Sequence, residues 1–99
     1  MSEKAIRTAC MKLPKAAAAL ERWVMLTRAA EWTNIADVRS VFPDADPVKG
    51  SSKKTVTVFN ICKNDYRLIA AIHYNRGKIF VLRILTHAEY SKDAWKEQL

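Results

Sequence analysis

The sequence has little of what would indicate a secreted, membrane-spanning or metal-binding protein. Its two cysteines belong to no CxxC or zinc-ligand spacing, so reduced thiols of a cytoplasmic protein are expected. No apolar run approaches the length of a membrane-spanning helix, and the first residues lack the basic-then-apolar order of a signal peptide. Only two glycines and three prolines occur, and 49% of the residues are hydrophobic, so composition excludes a disordered chain. One small cytoplasmic domain over residues 1–99, without membrane contact, is predicted.

Positive charge is distributed unevenly along the chain. The formal net charge is +7. Residues 1–52 contain eight Lys or Arg against six Asp or Glu, whereas residues 53–99 contain nine against four. A basic surface favours polyanions, so nucleic acid or an acidic protein is the expected partner. The alternative is that the lysines only keep a small protein soluble.

Residues 56–90 contain three runs rich in Val, Ile, Phe and Tyr, as expected of buried or half-buried strands. The turns at 62–65 and 75–77 contain Asn, Asp and Gly, which tolerate tight or left-handed turns. Connections this short join antiparallel neighbours, so a three-stranded antiparallel meander is predicted. By the period of two, Arg67 and His73 share one face of the middle strand. That face is the candidate working surface.

Helices are predicted before this meander. Apolar residues recur at helical spacing over residues 3–13 and 15–29, and Pro14 ends the first helix and begins the second. Asn34 is a good N-cap for a third, short amphipathic helix that ends before Pro43.

The remaining segments complete the predicted fold class. Residues 48–54 are predicted to be a polar loop, and Ser91 is a plausible N-cap for a final helix over residues 92–98. The fold class is therefore α+β, with an antiparallel sheet of at least three strands, N-terminal helices packed on it and a short C-terminal helix.

Three strings of residues, in this order and at this spacing, resemble one family. The strings are Trp32-x-Asn34-x-Ala36-Asp37-Val38, Val58-Phe59-Asn60-Ile61-x-x-Asn64-x-Tyr66-Arg67-Leu68 and Thr86-His87-Ala88-Glu89-Tyr90. Together they resemble the HigB-type toxins of bacterial type II toxin–antitoxin modules, within the RelE-like superfamily. The resemblance extends over residues 14–90. Its combination of strings is specific, whereas any one string alone is weak.

The resemblance implies a RelE-like α+β toxin that cleaves messenger RNA, typically on the translating ribosome. It also implies a HigA-type antitoxin as partner. This antitoxin is a helix-turn-helix protein that represses the shared operon, so operator DNA would be contacted only through it. The expected chemistry needs neither a cofactor nor a metal. The ribose 2′-oxygen attacks the adjacent phosphate, and the products are a cyclic phosphate and a free 5′-hydroxyl.

Such cleavage requires a group that assists deprotonation, a cation that stabilises the phosphorane and a proton donor for the leaving oxygen. Arg67 suits the cation role, because its planar fork can pair two phosphate oxygens. His87 carries the imidazole, which exchanges protons near neutral pH. Tyr90 could donate a proton or stack on a base. The acid and base assignments are interchangeable at this point. Further RNA contacts are predicted at Lys53, Lys54, Asn60, His73 and Arg83.

Each of these residues also has a structural alternative. Arg67 could form a salt bridge with Asp65 or Glu89. His87 could cap the last helix or bond a backbone carbonyl, and His73 could be an ordinary sheet residue. Tyr90 and Tyr66 could be ordinary amphipathic residues at the edge of the core. A metal site built from the histidines and a cysteine has no supporting spacing.

Three features depart from the family pattern. A basic residue commonly lies five positions before the histidine; here that position is Leu82, and Arg83 follows it. A shift of one residue moves a strand side chain to the opposite face of the sheet unless a bulge intervenes. The acidic residue that commonly follows the tyrosine is replaced by Ser91. The family also usually opens with a short strand, so either the sheet lacks that edge strand or Met1 is not the natural start.

Three classes of function are compatible with these observations. The first is a ribosome-associated mRNA endonuclease toxin. The second is a catalytically weak, toxin-like domain that acts only by binding RNA or its antitoxin. The third is a basic nucleic-acid-binding module without enzymatic activity, whose affinity would fall gradually as lysines are removed and would depend strongly on salt.

Overall fold

Helices precede an antiparallel sheet in the computed structural model, which describes residues 3–49, 54–62, 65–92 and residue 95. In chain order the elements are α1 (Glu3–Lys12), a 3₁₀ turn (Pro14–Ala16), α2 (Ala17–Ala29), α3 (Ile35–Val41), β1 (Asp46–Lys49), β2 (Thr55–Ile61), β3 (Tyr66–His73), β4 (Lys78–Thr86) and α4 (His87–Ser91). The predicted α+β class is confirmed.

The three N-terminal helices lie where the sequence pattern predicts them. The second begins with the 3₁₀ turn at Pro14, where a missing backbone N–H costs nothing. The Asn34 side chain accepts a hydrogen bond of 3.1 Å from the backbone N–H of Asp37 and so caps α3. The backbone N–H and the hydroxyl of Thr33 donate in turn to the Asp37 carboxylate, and these bonds hold the pKa of Asp37 below its ordinary value. Local hydrogen bonds therefore fix the start of α3.

The sheet has four strands in the order β1-β2-β3-β4, and every neighbouring pair is antiparallel. The predicted meander corresponds to β2, β3 and β4. The predicted polar loop is wrong at its start, because Val48 and Lys49 belong to β1, an edge strand that pairs with β2. This strand is short and mostly exposed, and it contains Pro47, which is tolerated on an edge. It therefore has no hydrophobic periodicity that a sequence would reveal.

A β-bulge interrupts the pairing of β3 with β4. Ile69 lies opposite Arg83, whereas the next residue, Ala70, lies opposite Val81. Leu82 is therefore an extra residue in β4. Arg83 lies one residue later than the basic residue of the family pattern. Because of the bulge it nevertheless pairs with Ile69 and so lies on the same face of the sheet as Arg67.

The C-terminal helix begins earlier than predicted. Thr86, not Ser91, is its N-cap: the Thr86 hydroxyl accepts from the Glu89 N–H at 3.2 Å, and the Glu89 carboxylate accepts from the Thr86 N–H at 3.0 Å. This reciprocal pair is a capping box. Ser91 is the last residue of α4, and its hydroxyl donates to the His87 carbonyl. Most of the predicted helix over 92–98 lies outside the described residues.

The main core lies between the helices and one face of the sheet. Phe59 of β2 is at its centre, and its ring lies 5.5 Å from that of Trp23, 6.4 Å from that of Trp32 and 5.1 Å from that of Phe42. Such aromatic clusters combine a large apolar area with favourable edge-to-face contacts. They bind α2 and the segment around α3 to the sheet.

The opposite face of the sheet carries a smaller apolar cluster. Val56, Val58 and Ile69 pack there against Trp95, which is 4% exposed. Because side chains alternate along a strand, the residues between them face the main core. None of the helices within the described part of the chain has the length and apolar character needed to cross a membrane.

Replacing Phe59 by Ala is expected to lower the free energy of unfolding by about 3–5 kcal/mol, because it removes a buried ring and leaves a cavity among three aromatic neighbours. Phe80, which is 41% exposed, provides the matched control. The same replacement there is expected to cost about 1 kcal/mol or less. Urea denaturation measures both values, and equal losses would contradict the central role of Phe59.

Candidate nucleic-acid cleft

A cleft of about 400 Å³ lies at one end of the sheet, on the face that carries Ile69 rather than Phe59. Strand β1 with the turn before it, the ends of β2 and β3, and α4 enclose the cleft. Its polar lining consists of Arg39, Asp44, Asp46, Asn60, Arg67 and Tyr90. Three predicted site residues, Asn60, Arg67 and Tyr90, therefore meet in one place.

Arg67 occupies the centre of this end of the sheet. It lies directly opposite Asn60 of β2 and Leu85 of β4, and it is partly buried. Its Nη1 donates to the Tyr66 carbonyl at 3.3 Å, and its Cζ lies 5.4 Å from the centre of the Tyr90 ring. An aromatic ring at this distance attracts a guanidinium group. The neighbouring strands and Tyr90 thus direct Arg67 into the cleft.

The two carboxylates proposed as alternative partners of Arg67 have other partners. Asp65 forms an ion pair of 3.0 Å with Lys15, and this contact raises the pKa of Lys15. The Glu89 carboxylate accepts the hydrogen bond that closes the capping box of α4. The salt-bridge alternative for Arg67 therefore finds no support in these two groups.

Tyr90 is held between Arg67 and Trp95. The Tyr90 and Trp95 rings are stacked, with centroids 5.3 Å apart and planes inclined by 18°. The Trp95 indole N–H also donates to the Tyr90 carbonyl at 3.1 Å. Because Trp95 is itself buried against the sheet, it anchors the end of α4 beside the cleft.

His87 is the first residue of α4 and lies one helical turn before Tyr90. Its ring is exposed, and its Nδ1 lies 3.5 Å from the Ser91 hydroxyl. It is absent from the described residues that line the cleft. The N-cap of α4 itself is Thr86, and the final helix over 92–98 that His87 could alternatively cap lies mostly outside the described residues. The structure therefore brings Arg67 and Tyr90 together and leaves His87 on the solvent side of α4.

The other predicted RNA-binding residues are spread along the sheet. Asn60 lies in the cleft, whereas His73 ends the same strand as Arg67, six residues and so about 20 Å away. The His73 ring is exposed and meets the Phe80 ring edge-on. Lys54, also exposed, precedes β2 at that distant end.

Arg83 and Lys53 complete the predicted set. Arg83 is exposed at the bulge, and its Nη1 donates to the Leu82 carbonyl at 2.8 Å. It does not belong to the described lining of the cleft. Lys53 lies outside the described residues.

Arg39 is a cleft residue that sequence reasoning missed. It belongs to the last turn of α3, and its Nε donates to the Ala45 carbonyl at 3.0 Å, which fixes the turn before β1. Asp44 and Asp46 of the same segment also line the cleft. The cleft is thus not uniformly cationic. The available signal was a basic residue at the end of a predicted helix beside an acidic turn.

The cleft combines a cationic guanidinium, an aromatic ring and an amide on a rigid sheet, which are groups that hold phosphate and nucleobases. Within the described residues, no group of three or more His, Cys, Asp or Glu side chains is placed to hold a metal ion.

Comparison with known proteins assigns the family. Residues 16–93 match the HigB toxin family, described as the RelE-like toxic component of a toxin–antitoxin system. The chain belongs to this family. It is also 31% identical over 81 residues to the mRNA interferase HigB of Escherichia coli O6:H1 (strain CFT073), a match that covers 82% of this chain and 77% of that protein. The predicted resemblance is confirmed, and an antitoxin is the partner that the family implies.

Replacing Tyr90 by Ala is expected to expose Trp95, because the stacked ring that covers it is removed. All three tryptophans are at most 9% exposed, so acrylamide should quench the fluorescence of the parent weakly and that of Tyr90→Ala more strongly. Tyr90→Phe keeps the ring and is the control, with quenching expected to equal that of the parent. Equal quenching in both variants would show that Tyr90 does not cover Trp95.

Proposed function

We propose that this HigB-family toxin is an endoribonuclease of the cytoplasm that cleaves messenger RNA on the translating ribosome. The observation that carries the proposal is the Arg67 guanidinium, held in a cleft against the ring of Tyr90. The name of the Escherichia coli relative, an mRNA interferase, supports the same substrate. The net charge of +7 favours approach to RNA.

In the proposed reaction the ribose 2′-oxygen attacks the adjacent phosphorus, and the bond from phosphorus to the 5′-oxygen breaks. The products are a 2′,3′-cyclic phosphate and a free 5′-hydroxyl. Negative charge grows on the phosphoryl oxygens in the transition state, so a fixed cation accelerates the step. Arg67 supplies that cation. A guanidinium group binds an aromatic ring by its face and phosphate by its N–H edge, so the contact with Tyr90 is compatible with phosphate binding.

Two proton transfers accompany this step, one from the 2′-hydroxyl and one to the leaving 5′-oxygen. His87 and Tyr90 lie one turn apart on α4 and are the proposed pair. Since His87 stands outside the cleft, the scissile phosphate would have to lie at its mouth, between the two side chains. In this scheme either residue can act as the base, and the other then acts as the acid.

Partners would position the RNA and control the toxin. The ribosome would position the messenger RNA. Asn60 and Arg39 would contact the backbone near the cut, while Lys53, Lys54, His73 and Arg83 would contact more distant RNA. A HigA-type antitoxin is the proposed protein partner, and operator DNA would be contacted only through it.

A second candidate function is a catalytically weak toxin that acts by binding RNA or its antitoxin. The observation that favours it is the position of His87, which is exposed and outside the described lining of the cleft. A binding-only toxin would still arrest growth by occupying RNA. It would produce no new RNA ends.

Replacing Arg67 by Ala is expected to abolish RNA cleavage, because the cation that stabilises the phosphorane is lost. Mapping of 5′ ends in cellular mRNA after brief induction should show new ends inside translated frames for the parent and none for the variant. Arg76→Ala, in the exposed turn at the other end of the sheet, is the matched control and should cleave like the parent. Growth arrest without new ends for the parent would favour the binding-only function.

Replacing His87 by Gln is expected to slow cleavage of a translated reporter mRNA by about 10²–10⁴-fold, the usual contribution of a general acid or base. Folding should be unchanged, since the His87 ring is exposed and α4 keeps its capping box. Single-turnover cleavage rates and thermal melting measure the two effects. Unchanged cleavage by His87→Gln would remove His87 from the mechanism and leave Arg67 in it.

A further inference from the structure

An apolar groove lies outside the cleft, between α1 and the edge strand β4. Its volume is about 680 Å³. Ala9 and Leu13 of α1 form one apolar wall, and Val81 and Ile84 of β4 form the other. A groove with apolar walls on this scale is large enough to take several side chains of a partner.

Helix α4 separates the groove from the cleft. Glu89 lines the groove, and its neighbour Tyr90 lines the cleft. A molecule seated in the groove would therefore not occupy the proposed site of RNA cleavage. Arg83, proposed above as a more distant RNA contact, also lines the groove, so the groove is tested with variants that leave Arg83 unchanged.

The dimensions of the groove suit a short peptide segment. Along α1 it extends from Lys4 to Leu13, which corresponds to about 14 Å at 1.5 Å per residue. Along β4 it extends from Val81 to Thr86, about 17 Å at 3.3 Å per residue. A helix of about ten residues, or five extended residues, spans such a length. The bulge at Leu82 interrupts the regular edge of β4, so burial of side chains would contribute more than backbone pairing.

The charged residues along the edge of the groove indicate which kind of peptide segment would bind there. Lys4, Lys12 and Arg83 are exposed and form the rim of the groove. The carboxylate of Glu89, also at the groove, is engaged in the capping box with Thr86. A partner with apolar residues flanked by Asp or Glu would match both the walls and the rim.

The same features disfavour other occupants. A second copy of this chain would bring a further net charge of +7 to a rim that is already positive. Nucleic acid would gain little from apolar aliphatic walls without an aromatic ring. A partner protein, in contrast, is expected for any toxic component of a toxin–antitoxin system.

We propose that the α1–β4 groove is a docking site for an apolar segment of the antitoxin that is flanked by acidic residues. This inference rests on the antitoxin partner named in the proposed function and is independent of RNA cleavage. The groove would anchor part of a larger interface, since stable protein complexes bury about 800 Å² on each partner.

Reversing the charge of the rim tests the proposal. The double variant Lys4→Glu/Lys12→Glu is compared with Arg76→Glu/Lys78→Glu, which changes the net charge equally at the distant end of the sheet. Binding of the purified antitoxin of the same module is measured by calorimetry at two salt concentrations. The rim variant is expected to bind at least about 10-fold more weakly and to lose part of the salt dependence, because like charges now face each other. The control is expected to change less than about threefold.

A second variant tests the walls without changing charge. Thr8 is exposed at the groove, and Thr8→Trp should block it and weaken antitoxin binding, while Thr8→Ser should not. Circular dichroism and thermal melting verify that each variant is folded. Antitoxin affinity equal to that of the parent in both the rim variant and Thr8→Trp would overturn the proposal. Loss of self-association rather than antitoxin binding would overturn it as well and assign the groove to a second copy.

Toxicity separates this proposal from the proposed nuclease activity. If both are correct, the rim variant cleaves mRNA like the parent, and co-expressed antitoxin neutralises it less well. If the chain is not a nuclease, the calorimetric difference between rim and control variants is still expected.

Discussion

Burial of one face of the sheet beneath the helices is the constraint on which the other features depend. Phe59 fixes that face, because three aromatic rings from α2 and the region of α3 pack around it. Strand alternation then directs the next residue, Asn60, and its cross-strand partner Arg67 to the opposite face. The hydrophobic core thus determines where the polar groups of the cleft can lie, even though it makes no contact with a substrate.

The opposite face combines apolar and polar areas, and each has its own role. Val58 and Ile69 form an apolar floor that receives Trp95, whereas the polar cleft lies at the end where Arg67 meets Tyr90. The buried indole therefore links the packing of the sheet to the geometry of the cleft. The apolar groove beside α1 lies beyond α4, so this short helix borders two surfaces of different chemistry.

Much of the architecture could be predicted from local patterns. Apolar periodicity indicated the helices and the meander, and the capping preference of Asn34 located α3. Strand β1 was missed because only four residues, mostly exposed, form it. The start of α4 was misplaced because Ser91 is a good capping residue, although the pair of Thr86 and Glu89 has the spacing of a capping box. The bulge and the approach of Arg39 to the cleft depend on tertiary packing, which no local pattern contains.

The five-residue length of α4 has a consequence for the cleft. An isolated helix of one turn is unstable in water, so α4 depends on its Thr86 cap and on the anchoring of Tyr90 by Trp95. Arg67, in contrast, lies on a strand hydrogen-bonded on both sides, which opens only at a cost close to that of global unfolding. One wall of the cleft is therefore part of the sheet, whereas the other depends on a cap and on side-chain contacts outside its own short helix.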